Sequence, residues 1–240
     1  VRVTADPWPL STAHGEVETI IVRPEGTPRF ASVYVHGHTF NAIASLPAAW
    51  HLAEAGAATL LVTQPGYGRS AGPPDYCGPK TVAAVLAAAQ RLVDEGIATG
   101  GRIGIWGFSR GAIVSGQAIT ERPDLFGAAV LQSGGYDLAR DLAESRDESF
   151  IANVVRETGG EPDALRSRSL IYRVERIGCP LLIIQADDDR TYLKQNTLRL
   201  VDELRVQGKG YQLAVVPGEH EQPWDVVAAL AVPFLEANLA

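Results

Sequence analysis

One serine in this chain stands in a setting that chemistry can use. Gly107-Phe108-Ser109-Arg110-Gly111 follows a strand-like run, Arg102–Trp106, and opens a run of helical period, Gly111–Glu121. A serine pinned on a sharp strand-to-helix turn projects its hydroxyl past the sheet edge. The flanking glycines are needed because a side chain there would strike the neighbouring strand and helix. The helix start also brings N–H groups and the positive end of its dipole to where negative charge would develop. A serine hydroxyl alone is a weak nucleophile: it needs a base, and the base needs an orienting acid.

Five histidines compete for the role of base. His14 in an N-terminal loop and His51 on a helix read as solvated or structural, and His36 and His38 precede the serine. In the architecture that carries this motif the chain order is serine, acid, histidine. Only His220 follows the serine, in Val216-Pro217-Gly218-Glu219-His220 just past the last strand, and it is the expected base. The acid should follow the strand Leu181–Gln185, where Asp187, Asp188 and Asp189 are adjacent. Neighbouring loop carboxylates point in different directions, so one meets the histidine while the others cap the helix that starts near Tyr192 or face water. Spacing does not choose among the three, and no further ligand cluster makes the triplet a metal site.

The oxygen of a reacting carbonyl needs its own partners. Strand Phe30–Val35 ends in His36-Gly37-His38-Thr39, where the glycine permits a tight turn facing the serine. The backbone N–H of His38 and that of Arg110 are the expected oxyanion hole, with the His36 imidazole in a structural hydrogen-bonding role. Tyr67, Tyr76, Tyr136 and Trp224 are candidates for a pocket wall, with packing an equal explanation for each. Arg110, Arg168 and Arg173 read as solvated surface arginines before they read as receivers of an anionic substrate.

The elements that must hold these residues alternate strand and helix. Val17–Arg23, Phe30–Val35, Ala58–Thr63, Leu181–Gln185 and Tyr211–Val216 read as strands, and Leu46–Ala55, Thr81–Asp94, Tyr192–Gln207 and Trp224–Asn238 as helices. That alternation predicts a mostly parallel sheet covered on both faces. The polar helical stretch between Ser133 and Cys179 is long for one connection and predicts a small helical cap, at about residues 136–173 of a single 1–240 domain.

Composition narrows the class. With 46% apolar and 20% charged residues the 240-residue chain can build a core. Twenty-one basic against 28 acidic side chains leave −7, the wrong sign for a nucleic-acid surface. No apolar run reaches the ~18 residues of a membrane span. Cys77 and Cys179 make no disulfide framework and no zinc pattern. The absence of methionine predicts removal of an N-terminal segment or numbering that starts within a longer protein, which leaves cytoplasm and secretion both open.

The three motifs, in this order, resemble the α/β-hydrolase fold. Within it, Gly101-Arg102-Ile103-Gly104-Ile105-Trp106-Gly107-Phe108-Ser109, Ile177-Gly178-Cys179-Pro180-Leu181-Leu182-Ile183-Ile184 and Val216-Pro217-Gly218-Glu219-His220 resemble the catalytic domain of the prolyl oligopeptidase family, over residues 30 to 238. The family's spacing from a small residue to its acid, laid on Ala186-Asp187-Asp188-Asp189, implies Asp189, with Asp188 the fallback. The best-known oligopeptidases have a tyrosine where this chain has His36, and only about thirty residues precede the first aligned strand, too few for their β-propeller. The resemblance therefore implies a cofactor-free serine hydrolase of small carboxylic esters. A peptidase or amidase acting on short peptides is the alternative, and a non-catalytic binding module on the same fold is the rival of a different class.

Overall fold

The computed structural model describes residues 2–240. In chain order the strands are β1 (Val3–Pro7), β2 (Leu10–Thr12), β3 (Gly15–Val17), β4 (Thr19–Pro24), β5 (Phe30–Val35), β6 (Ala57–Val62), β7 (Ile103–Phe108), β8 (Phe126–Gln132), β9 (Leu181–Ala186) and β10 (Tyr211–Val216). The helices are α1 (Leu46–Glu54), α2 (Pro79–Asp94), α3 (Arg110–Glu121), α4 (Leu138–Glu144), α5 (Glu148–Thr158), α6 (Pro162–Ser167), α7 (Lys194–Val206) and α8 (Trp224–Leu239). Eight strands form one sheet in the order β1-β4-β6-β5-β7-β8-β9-β10, and β2 pairs with β3 in a separate hairpin. From β6 to β10 the pairings are parallel, while β1 and β4 run antiparallel at one edge. This is the α/β-hydrolase arrangement that the sequence predicts.

The central strands explain the parallel sheet. FASVYV, IGIWGF and LLIIQA are buried at every position, as strands covered on both faces require. One core lies under α1 and α8, where Trp106 packs edge-on against Tyr34 and Trp224. The other lies under α2, α3 and α7 and continues into α4, α5 and α6. The chain leaves β5 for β6 on one side and returns to β7 on the other, so a switch point opens between β5 and β7. Ligands of open α/β sheets bind at the carboxyl ends of strands at such a point, where the ends of β5 and β7 carry His38 and Ser109.

Local chemistry starts and stops the helices above those strand ends. Asp147 caps α5 by accepting from the amides of Ser149 and Phe150, and Gly159 ends it at φ 71°. Gly78 and Pro79 begin α2, Pro supplying a pre-set φ where no N–H partner is needed. Three strands lie outside the sequence reading, β1, β2 and β3. Strand β1 is an exposed edge with no buried face, and β2 and β3 have three residues each, so neither shows a hydrophobic period. Among the described residues no helix is long and apolar enough to cross a membrane.

Asp141 on α4 is fully buried. Its Oδ1 accepts from Asn196 Nδ2 at 3.0 Å and its Oδ2 from the Asp137 amide at 3.2 Å, tying α4 to α7. Burial nevertheless outweighs these bonds and pushes the carboxyl up to about 7. The folded chain therefore keeps a proton that the unfolded chain, with a carboxyl near 4, has released. Stability should fall as pH rises from about 4 toward about 7 and level off beyond. Thermal midpoints of wild type and Asp141→Asn across this range check it. The variant-minus-wild-type difference should climb by several degrees with pH; a flat difference would mean that Asp141 is already ionised in the fold.

Candidate active site

Ser109 sits between β7 and α3 with φ 55° and ψ −117°, a conformation that L-residues rarely adopt and that turns the chain abruptly. A Cβ at Gly107 would overlap the carbonyl of Gly111, and one at Gly111 would overlap that of Val35. The two glycines thus let α3 press against the ends of β5 and β7. The Ser109 amide donates to the Gln132 carbonyl at 2.8 Å, which holds the turn to the end of β8.

The distant loops close on this serine. Ser109 Oγ is 2.9 Å from His220 Nε2, and His220 Nδ1 is 2.8 Å from Asp189 Oδ2. The Asp189 side chain is fully buried, and its Oδ1 accepts from the amides of Thr191 and Tyr192, each at 2.9 Å. With Oδ2 a pure acceptor, the imidazole carries its proton on Nδ1 and leaves Nε2 free to accept from the serine. The ring lies between Phe108 and Tyr192, at centroid distances of 5.3 and 5.7 Å. Asp187 and Asp188 are exposed and turn away, Asp187 accepting from the Gly218 amide at 3.0 Å.

His36 is buried and fully engaged. Its Nε2 accepts from the Gln64 amide at 2.8 Å and its Nδ1 donates to the Gly37 carbonyl at 2.6 Å. Burial lowers its pKa to about 4, so the ring is neutral. His38 lines the cavity over Ser109, its pKa lowered by burial and by the Arg110 charge. Among the described residues, neither the His38 nor the Arg110 amide donates to a protein acceptor.

The arginines depart from the sequence reading. Arg110 is buried rather than solvated: Nη1 and Nη2 meet the two Glu157 oxygens at 3.0 and 3.1 Å, Nη1 donates to Tyr67 Oη at 2.5 Å, and the guanidinium lies over the Tyr76 ring. Arg168 donates to the carbonyls of Asp75, Tyr76 and Ala164. Trp224 belongs to the core on the opposite face of the sheet, and Tyr136 is buried below the cavity.

The cavity holds about 180 Å³. Ser109, His220 and Phe108 form its floor, Tyr76 and Tyr192 its aromatic sides, and α5 contributes Ser149, Phe150 and Asn153. Glu157, Asn153 and Gln222 are the residues that motif reading misses. Gln222 pins the His220 loop by donating to the His220 carbonyl at 2.9 Å while its Oε1 meets Ser133 Oγ at 3.3 Å. Glu157 and Asn153 meet Arg110 and His38 from far along the chain, and Gln222 meets Ser133 likewise, so no spacing rule marks them.

Known proteins resemble this chain in sequence and in fold. Residues 75–221, well over half of the chain, match the model of the prolyl oligopeptidase family. The fold is similar to that of a puromycin-hydrolyzing peptidase of Mycobacterium tuberculosis (TM-score 0.84, 22% identity, 98% of this chain) and of an acylaminoacyl peptidase of Pyrococcus horikoshii (TM-score 0.82, 21% identity, 100% of this chain). The chain spans only 39% and 42% of the lengths of these two peptidases. It also resembles a Pyrococcus furiosus esterase (TM-score 0.79, 17% identity), covering 99% of this chain and 93% of that one. The family match, which runs over both Ser109 and His220, shows that the chain belongs to the prolyl oligopeptidase family.

Proposed function

We propose that this protein hydrolyses small carboxylic esters through an acyl-enzyme, with Ser109 as nucleophile, His220 as base, Asp189 as orienting acid, and the His38 and Arg110 amides as oxyanion hole. The observation that carries the reading is the unbroken chain of hydrogen bonds from Asp189 through His220 to Ser109 Oγ. Ser109 Oγ bonds to the ester carbonyl carbon as its proton passes to His220 Nε2, and the carbonyl oxygen takes the negative charge between the two amides. The intermediate collapses, the C–O bond to the leaving group breaks, and the departing alcohol takes the proton from His220. Water then attacks the acyl-serine by the same route and releases the acid. We read the protein as one domain in which the helices between β8 and β9 form a cap, at about residues 136–173.

One feature favours esters: His36, with both nitrogens engaged, offers the oxyanion no side-chain donor. An amide is the harder bond to break and would rest on the two backbone donors alone. The peptidase neighbours favour the second reading, cleavage of short peptides or aminoacyl amides. Relative turnover of p-nitrophenyl esters of graded chain length and aminoacyl-p-nitroanilides separates the two. Short esters should give the higher kcat/KM, and the reverse order would establish the amidase.

Ser109→Ala should keep the fold and lose about 10⁴–10⁶ in ester turnover. Wild-type rates in that variant would dismiss the elbow as the reacting centre. Asp189→Asn should lose about 10²–10⁴ through the wrong imidazole tautomer, and Asp187→Asn and Asp188→Asn far less. If Asp188→Asn is the deepest loss, the acid is misassigned.

A protonated His220 has nothing with which to accept the serine proton, so kcat/KM should rise with pH through one ionisation and then level off. The pH–rate profile of wild type beside His220→Gln tests this: the variant should lose both the rate and the limb. A variant that keeps them would make His220 a loop residue only.

A further inference from the structure

Helix α5 meets the site at three places. At its start the Asp147 carboxylate accepts from Thr191 Oγ1 at 2.7 Å, and Thr191 is one of the two residues whose amides hold Asp189. Further along, Asn153 Nδ2 lies 3.4 Å from His38 Nδ1, the longest of the three contacts. Four residues later Glu157 takes both terminal nitrogens of Arg110 and, through Oε2, the Tyr76 amide at 3.0 Å. Residues four apart share one helix face. The Asn153–Glu157 face therefore touches both residues whose amides are proposed to form the oxyanion hole.

The Arg110 side chain is otherwise unexplained. A backbone N–H needs no particular side chain, yet this position carries a guanidinium that is 3% exposed and paired with a carboxylate that is 4% exposed. A bidentate arginine–carboxylate fork fixes orientation as well as charge. Here it fixes the residue that directly follows Ser109. Tyr67 Oη and the Tyr76 ring close the remaining sides.

We propose that Glu157 is a positioning residue for the oxyanion hole, holding Arg110 while Asn153 holds His38, so that α5 sets the separation of the two amides. The inference rests on the reading of those amides given above. Its size follows from what misplacement does. Displacing a reacting group by about 1 Å costs about 100-fold, and losing one oxyanion donor costs about 10²–10³ in kcat.

The test is ester hydrolysis with phenylboronic acid as inhibitor, whose boron bonds to Ser109 Oγ and becomes a tetrahedral anion while the serine proton moves to His220. Glu157→Met should lower kcat and boronate affinity together by about 10–100-fold, with KM within about twofold. Glu157→Gln should recover part of both. Asn153→Ala should fall a few-fold in the same two quantities. The double variant Arg110→Met/Glu157→Met removes both buried charges and decides the matter if Glu157→Met does not fold. It should regain a wild-type melting temperature without regaining kcat or boronate affinity. Wild-type kcat and boronate affinity in the folded double variant would overturn the proposal and leave the pair a packing element. So would a rise confined to KM in Glu157→Met. A wild type that neither turns over esters nor is labelled by a fluorophosphonate would overturn the underlying reading and this inference with it. Active wild type with unaffected folded variants would overturn this inference alone.

Discussion

A residue with a side chain does not rest at φ 55° unless its neighbours hold it there, at a local cost of about 1–3 kcal/mol. At Ser109 they hold it from three sides. The Gln132 carbonyl takes its amide, α3 begins at the next residue, and the glycines at 107 and 111 let that helix seat against the ends of β5 and β7. None of this is possible on a loosely held strand. Strand β7 is buried along its whole length, and Trp106 within it donates from Nε1 to Gln132 Oε1 at 3.0 Å, so the side chain of the same glutamine is tied to the strand whose turn its carbonyl steadies. The position of the Ser109 oxygen is thus inherited from the middle of the sheet.

The three residues differ in exposure: Ser109 is 5% exposed, the His220 side chain 22% and the Asp189 side chain not at all. A carboxylate in a dry position needs donors, and Asp189 has two amides and an imidazole N–H, which keep it a fixed acceptor. His220 is on an exposed loop, and Gln222 ties that loop to the end of β8. Stiffness at His220 comes from polar contacts with its own loop and with the sheet, whereas stiffness at the serine comes from close packing.

Much of this was legible in the sequence, for local reasons. The central strands read clearly because both of their faces are apolar, and the serine because its glycines sit where α3 would otherwise collide with the ends of β5 and β7. What escaped depends on distance along the chain. Glu157 is 47 residues from Arg110, and Asn153 is 115 from His38. In the sequence both sit in an ordinary polar helix. Arg110 read as a surface arginine because composition says most arginines are; only the fold reveals that a carboxylate and two tyrosines enclose it. Strand β1 escaped for the opposite reason, since an exposed edge strand has no buried face to leave a pattern.

The acidic triplet shows how a choice that spacing leaves open is made by the backbone. After β9 the chain continues alongside the 216–218 segment for two residues, the Asp187 amide donating to the Val216 carbonyl and the Asp188 amide to that of Gly218. That leaves their carboxylates on the outside, facing water and the Gly218 amide. At Asp189 the chain must turn toward α7, and a carboxylate that accepts from the amides two and three residues ahead is the means by which aspartate heads such a turn. The turn occupies Oδ1 and buries the side chain, so Oδ2 is left in a dry position pointing at His220. One side chain thus starts the approach to the next helix and holds the imidazole, with a different oxygen for the turn and for the ring. Neither neighbour bonds to His220, and the amides of both are paired with the segment that leads to it.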